Sequence, residues 1–201
     1  MKIDTVIFDI GGVLSVLGRM KFFRSFGYSE EMCREIMQAT VLSPWWKELD
    51  RSVMSVPEVI DHFVAENPAR EKEIRHIMED IRGIVVPSED AVRWIRKVKS
   101  TGRRVLYLSN WSQKVTDDCP GVLYFMPEMD GGVFSYECHL IKPEEPIYRE
   151  ILARYDLTPE KCVFIDDTEA NLEAPRRLGI HTIHFVSPEQ AESELDALLA
   201  E

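Results

Sequence analysis

The sequence contains no apolar run approaching the 18 or so residues that a membrane-crossing helix needs. Asp4 and Asp9 break up the apolar stretch near its start, which argues against a signal peptide. Cysteine is scarce. Cys33, Cys119, Cys138 and Cys162 form no Cys-x-x-Cys pair, so a zinc site or disulfide framework is not expected, and scattered reduced thiols in a cytoplasmic protein are. Positive charge is also short, with 24 basic residues against 35 acidic ones and a net charge of -11. An acidic surface repels nucleic acid and anionic membranes, so neither is an expected partner. The same imbalance means that a phosphate-bearing ligand needs a local source of positive charge: a metal ion, a lysine or a helix N-terminus. There is no internal repeat and no biased tract. The 201 residues, 45% of them apolar and 29% charged, suffice for one well-buried core and a modest accessory domain.

Short apolar runs alternate with helical patterns along most of the chain. Thr5–Phe8, Arg104–Leu108, Cys162–Ile165 and His181–Phe185 read as strands buried on both faces of a parallel sheet. Ser88–Ser100 shows a helical pattern and is ended by Gly102. Pro146–Tyr155 and Thr168–Leu178 are similar, the latter stopped by Gly179. This alternation implies a doubly wound α/β fold. From about Leu17 to Val86 the pattern changes to helices with no convincing strand, the clearest being Glu30–Ala39 and Val56–Ala65, with a break at Asn67-Pro68. The expected division is a core from 1–16 and 87–201 and an all-helical insert from 17–86. In open α/β sheets ligands bind beyond the carboxyl ends of the strands, so the residues after each strand are the ones to inspect. An insert leaving from that edge is placed to act as a lid.

Asp9-Ile10-Gly11-Gly12-Val13 follows the first strand. It is either a turn or a carboxylate left accessible by two glycines. Ser109-Asn110 follows the second strand and fits a helix N-cap or a phosphate-holding pair. Lys142 precedes Pro143; it is a solvated lysine or a placed point charge. Asp166-Asp167-Thr168, with Asn171 beyond, follows the third strand and fits a helix cap or a site for a hard cation such as magnesium.

Taken in this order, the four segments resemble the motifs of the haloacid dehalogenase-like superfamily: Phe8-Asp9-Ile10-Gly11-Gly12-Val13-Leu14, then Leu108-Ser109-Asn110, Lys142-Pro143 and Phe164-Ile165-Asp166-Asp167-Thr168-Glu169-Ala170-Asn171. The helical insert resembles the small cap that one branch of that superfamily carries after its first motif. The resemblance implies a magnesium-dependent phosphatase of small phosphate esters; separately, a monomer or weak homo-oligomer is expected. Asp9 is then the nucleophile and forms an aspartyl-phosphate. Magnesium sits on Asp9, the Gly11 carbonyl and Asp166, with Asp167 as a direct or water-mediated partner. Lys142 neutralises the phosphoryl oxygens, and Ser109 and Asn110 orient them.

Gly11 departs from that pattern. Most phosphatases of this type carry an aspartate there as general acid and base, a function worth about 10²–10⁴-fold. A sugar 1-phosphate, with its more acidic anomeric oxygen, tolerates the loss best. His139, near Lys142 in sequence, is a candidate substitute donor, and Trp45, Trp46 and Trp111 are candidates for a pocket wall or for packing. The alternatives are a 2-haloacid dehalogenase, which also lacks the second aspartate but does not need the acidic doublet; a phosphomutase, which relies on the residue Gly11 replaces; and a catalytically weak binding or regulatory protein.

Overall fold

The computed structural model describes residues 2–200. In chain order its elements are β1 (Thr5–Phe8), β2 (Ser15–Leu17), α1 (Arg19–Arg24), α2 (Glu30–Ala39), α3 (Trp45–Arg51), α4 (Val56–Glu66), α5 (Glu71–Glu79), β3 (Val85–Pro87), α6 (Ala91–Ser100), β4 (Arg104–Ser109), α7 (Gln113–Asp118), β5 (Gly132–Phe134), α8 (Ser135–Cys138), α9 (Glu145–Arg154), β6 (Cys162–Asp166), α10 (Glu173–Arg177), β7 (His181–His184) and α11 (Pro188–Ala200).

Five strands form one parallel sheet in the order β5-β4-β1-β6-β7. Every residue of β1 is buried, because strands lie on both sides of it and helices cover both faces. Successive residues feed opposite layers. Val6 and Phe8 pack with Trp94, Ile95 and Val98 of α6, while Ile7 packs with Phe164 and with Ile147, Tyr148 and Ile151 of α9. The fold is the expected doubly wound α/β one. Phe8 lies beside Tyr107 of β4 and Ile165 of β6. The next residues on these three strands, Asp9, Leu108-Ser109 and Asp166, therefore emerge at one edge of the sheet.

Between β2 and β3 the chain is helical. Ser29 caps α2 by accepting from Met32 N. Ser55 and Glu58 cap α4 reciprocally, with Pro57 in the first turn. The break at Asn67-Pro68 is a single 3₁₀ turn, Pro68–Arg70. Ile36, Val59, Phe63, Ile74 and Ile77 are fully buried and belong to the same apolar cluster as the α6 side of the sheet.

Three local expectations need correction. The stretch from Leu17 to Val86 is not free of strands. Its two ends pair antiparallel, with Leu17 opposite Val85, Val16 opposite Val86 and Ser15 opposite Pro87. Strands of three residues are too short to show a period. Thr168–Leu178 is not one helix but a 3₁₀ turn, Glu169–Leu172, followed by α10. Pro175 has no N–H to give and its ring crowds the carbonyl four residues back, so it is accommodated in the first turn of α10 and not in the interior of a helix starting at Thr168. The sheet also gains β5, whose Gly132–Phe134 run is too short to stand out.

Candidate active site

Asp9 leaves β1 buried, 6% exposed as a residue. Its Oδ1 accepts from Ser109 Oγ at 2.7 Å and from Ile10 N at 2.7 Å, and forms an ion pair with Lys142 Nζ at 2.9 Å. Among the described residues no donor reaches Oδ2. The Lys142 ammonium also donates to Asp166 Oδ2 at 2.6 Å and stands 5.4 Å from the Phe164 ring centroid. Asp166 is completely buried and accepts further from Thr168 N at 2.8 Å and from Asn171 Nδ2 at 3.0 Å. Tyr148 holds that asparagine in turn, its hydroxyl donating to Asn171 O at 2.6 Å.

Asn110 holds the backbone of the lysine. Its Oδ1 accepts from Lys142 N at 2.8 Å and its Nδ2 donates to Lys142 O at 3.0 Å. This pair of bonds fixes the backbone from which Lys142 reaches between the two carboxylates. Asp167 comes close because residue 12 is glycine. Gly12 has φ +85°, and a Cβ there would collide with the Asp167 carboxylate.

Ligand oxygens of Asp9, Asp166 and Asp167 lie within 4.8 Å of one another. Three carboxylates thus share a space with one ammonium, a local excess of negative charge that a divalent cation would balance. The donors are hard oxygens, as magnesium prefers, and Gly11 borders the cavity beside them. Burial lifts the Asp9 carboxyl above the ordinary range, against the pull of Lys142 and with the help of Asp166. Asp167 is raised by burial and by the neighbouring Asp166 charge. Burial opposes the Lys142 charge, but Asp166 and Asp9 outweigh it and hold the ammonium above its usual value.

A cavity of 660 Å³ opens over these groups. Asp9, Gly11, Ser109, Asn110, Lys142 and Asp167 line it from the sheet edge. Arg19 of α1 and Trp46, Lys47 and Asp50 of α3 line it from the helical side. All the residues expected from the four motifs are therefore brought together, Asp166 just beneath the surface. His139 is not among them. It is exposed, its Nδ1 lies 2.9 Å from Arg51 O, and it does not border the cavity, so it is no substitute for the missing aspartate. Trp46 and Trp111 border the cavity; Trp45 instead stacks on His62 at 3.6 Å and bonds Glu66. Sequence reasoning missed Asp50 and Arg19. Asp50 sits in Lys47-Glu48-Leu49-Asp50-Arg51, a charged run that reads as a solvated helix face, and only the folded contact with the core buries it.

Fold and site together define a doubly wound α/β protein whose buried carboxylates and lysine gather at the carboxyl edge of a parallel sheet. The chain belongs to the haloacid dehalogenase-like hydrolase family, whose model matches residues 3–179. It is 24% identical over 192 residues to the phosphorylated carbohydrates phosphatase of Thermotoga maritima, covering 91% of this chain and 85% of that protein. It is 43% identical over 60 residues to mouse acyl-CoA dehydrogenase family member 10, but that match spans 30% of this chain and only 6% of the mouse protein. Among solved structures, a HAD-like hydrolase from Porphyromonas gingivalis superposes with TM-score 0.73 at 22% identity, over 100% of both chains. A HAD family enzyme of Bacteroides thetaiotaomicron in complex with magnesium and inorganic phosphate gives TM-score 0.65 at 20% identity, over 90% and 93%. A dehalogenase gives TM-score 0.70 at 16% identity, over 99% and 98%. Likenesses at these identities establish the fold.

Proposed function

We propose that the protein is a magnesium-dependent phosphatase acting on a small phosphate monoester through an aspartyl-phosphate on Asp9. The observation that carries this reading is the cluster of Asp9, Asp166 and Asp167 ligand oxygens within 4.8 Å of one another, beside a nucleophile whose Oδ1 is tied up and whose Oδ2 is not. A haloacid dehalogenase needs the nucleophile but has no use for the acidic cluster. The phosphatase named for phosphorylated carbohydrates and the magnesium–phosphate complex among the structural neighbours point the same way.

The difficulty in the reaction is electrostatic. A carboxylate approaching a phosphate dianion is opposed by about 4 kcal/mol for each pair of unit charges 4 Å apart at an effective dielectric of about 20. Asp9, Asp166, Asp167 and the Gly11 carbonyl would hold a magnesium ion, which would supply the Lewis-acid charge to offset this repulsion. Lys142 supplies a second positive charge, already aligned by Asp166 and by the Asn110 clamp, so that no reorganisation is needed during the reaction. Ser109 holds Oδ1 of Asp9 and thereby aims the other oxygen. Asn110 has a positioning role towards Lys142, in addition to its place on the cavity wall. The helical segment between β2 and β3 forms the opposite wall and is the natural seat of substrate selection and of water exclusion.

Phosphate release from a panel of sugar phosphates, with magnesium and with chelator, tests the reading. Release that requires the metal is expected. Halide release from 2-haloacids without metal, and no phosphate release, overturns it.

A further inference from the structure

Gly11 leaves the site without the acid that protonates a leaving alkoxide, yet the cavity holds one carboxyl group to which the preceding account gives no work. Asp50 lies in the last turn of α3, is 7% exposed and faces the same cavity as Asp9, Ser109 and Lys142. Among the described residues its carboxyl has no hydrogen-bond or ion-pair partner. A buried carboxyl without a partner is costly, and here it is aimed at the substrate space.

Its placement is fixed from outside the helical segment. Asp50 O accepts from Ser135 Oγ at 2.8 Å, and the same hydroxyl accepts from Trp111 N at 2.8 Å. The next residue, Arg51, donates to Glu144 at 2.7 Å and to His139 O at 3.4 Å, while its own carbonyl meets His139 Nδ1 at 2.9 Å. Contacts with Ser135, His139 and Glu144 thus pin the end of α3 to the chain on either side of Lys142. A side chain meant only to fill space would not need such docking beside the lysine.

We propose that Asp50 is the general acid and base of the reaction, taking over from across the cavity the function that Gly11 cannot perform. The proposal rests on the phosphatase reading above. In the first half, Asp9 forms a bond to phosphorus, the bond from phosphorus to the ester oxygen breaks, and the Asp50 proton passes to that oxygen to give the free alcohol. In the second half, water attacks the aspartyl-phosphate, its proton returns to Asp50, and the Asp9–phosphorus bond breaks to release inorganic phosphate. Burial pushes the Asp50 carboxyl up to about 8, with Arg19 and Lys142 pulling it down and Asp9 pushing it up, so it carries its proton at neutral pH. The other charged groups bordering the cavity are Asp167 and the exposed Lys47; Arg51, the next residue along α3, is engaged with Glu144.

The test compares an alkyl phosphate, whose leaving oxygen needs a proton, with p-nitrophenyl phosphate, whose leaving group does not. The wild-type protein is assayed first, with magnesium, across pH 6 to about 9.5. A loss of kcat/KM on the alkyl phosphate above about pH 8, absent for p-nitrophenyl phosphate, is expected. Asp50→Asn, nearly isosteric, should lose about 10²–10⁴-fold in kcat on the alkyl phosphate and abolish the alkaline limb. Its loss on p-nitrophenyl phosphate should be at least tenfold smaller when formation of the phosphoenzyme is followed in a single turnover. Equal losses on the two substrates, or an effect confined to KM, overturn the acid–base role and leave Asp50 as a binding group. If Asp50→Asn fails to fold, wild-type profiles that coincide for the two substrates still overturn the proposal. No phosphate release by the wild-type protein from either ester overturns the phosphatase reading itself, and the proposal with it.

Discussion

The two oxygens of Asp9 have different surroundings, and that asymmetry makes the residue readable as a nucleophile. Oδ1 is surrounded by Ser109, Ile10 and Lys142, so an amide at position 9 keeps the shape but loses the charge that strikes phosphorus. Asp9→Asn is expected to reduce phosphate release by about 10³-fold or more with far-UV circular dichroism unchanged; substantial residual turnover would remove Asp9 from the reaction. Lys142 presents the opposite case. It lies between two buried carboxylates and is itself 2% exposed. Breaking a buried charge network by removing one partner costs about 3–5 kcal/mol. Lys142→Met should lower the unfolding free energy by that amount in urea titrations without metal. Adding Asp166→Asn to the same chain should recover part of it, because the orphaned charge is then gone. If the double variant is as unstable as the single one, the loss comes from packing and not from charge. Gly12→Ala is a third probe. It forces a side chain against Asp167 at a φ of +85°, and should weaken magnesium binding measured by calorimetry while Asp9 and Lys142 stay in place.

At the level of elements, the caps are local and their worth is easy to isolate. Ser55 and Glu58 satisfy each other's backbone donors at the start of α4; Ser55→Ala should cost about 1 kcal/mol by chemical denaturation and leave the site untouched, since α4 does not border the cavity. Elements also differ in how openly the sequence announces them. The bounds of β1 and α2 could be read directly, because a strand buried on both faces is a continuous apolar run and Ser29 marks the helix start. β2, β3 and β5 could not, because three residues carry no period and their partners are distant in sequence. The site divides in the same way. Asp9, Ser109, Lys142 and Asp166 are each at or near the end of a strand or before a helix, where one rule about α/β sheets tells the reader to look. Asp50 follows no such rule. Its neighbours Lys47, Glu48 and Arg51 advertise a wet surface, and its burial depends on Ser135, 85 residues later.

For the molecule as a whole, the site is an excess of negative charge inside a chain that is already acidic, and ligands and pH should therefore act on the stability of the entire fold. Anything bound only by the native state stabilises it by mass action. Magnesium chloride in the millimolar range should raise Tm of the wild-type protein relative to an equal ionic strength of sodium chloride, and should fail to do so for Asp166→Ala. Protons act through Asp50. The folded carboxyl titrates at about 8 and an unperturbed one at 3.8, so between those values the native state holds a proton that the unfolded chain has released. Stability from this group is therefore intact below about pH 4, is lost progressively as the pH rises, and reaches its floor above about pH 8. Asn at position 50 does not titrate. The unfolding free energy of Asp50→Asn minus that of the wild type should therefore grow steadily from pH 4 to 8 and then level off, each unit of pKa displacement being worth about 1.4 kcal/mol. A difference that stays flat across that window means that the Asp50 carboxyl ionises freely in the folded protein. In that case it is not the desolvated group that the cavity geometry describes.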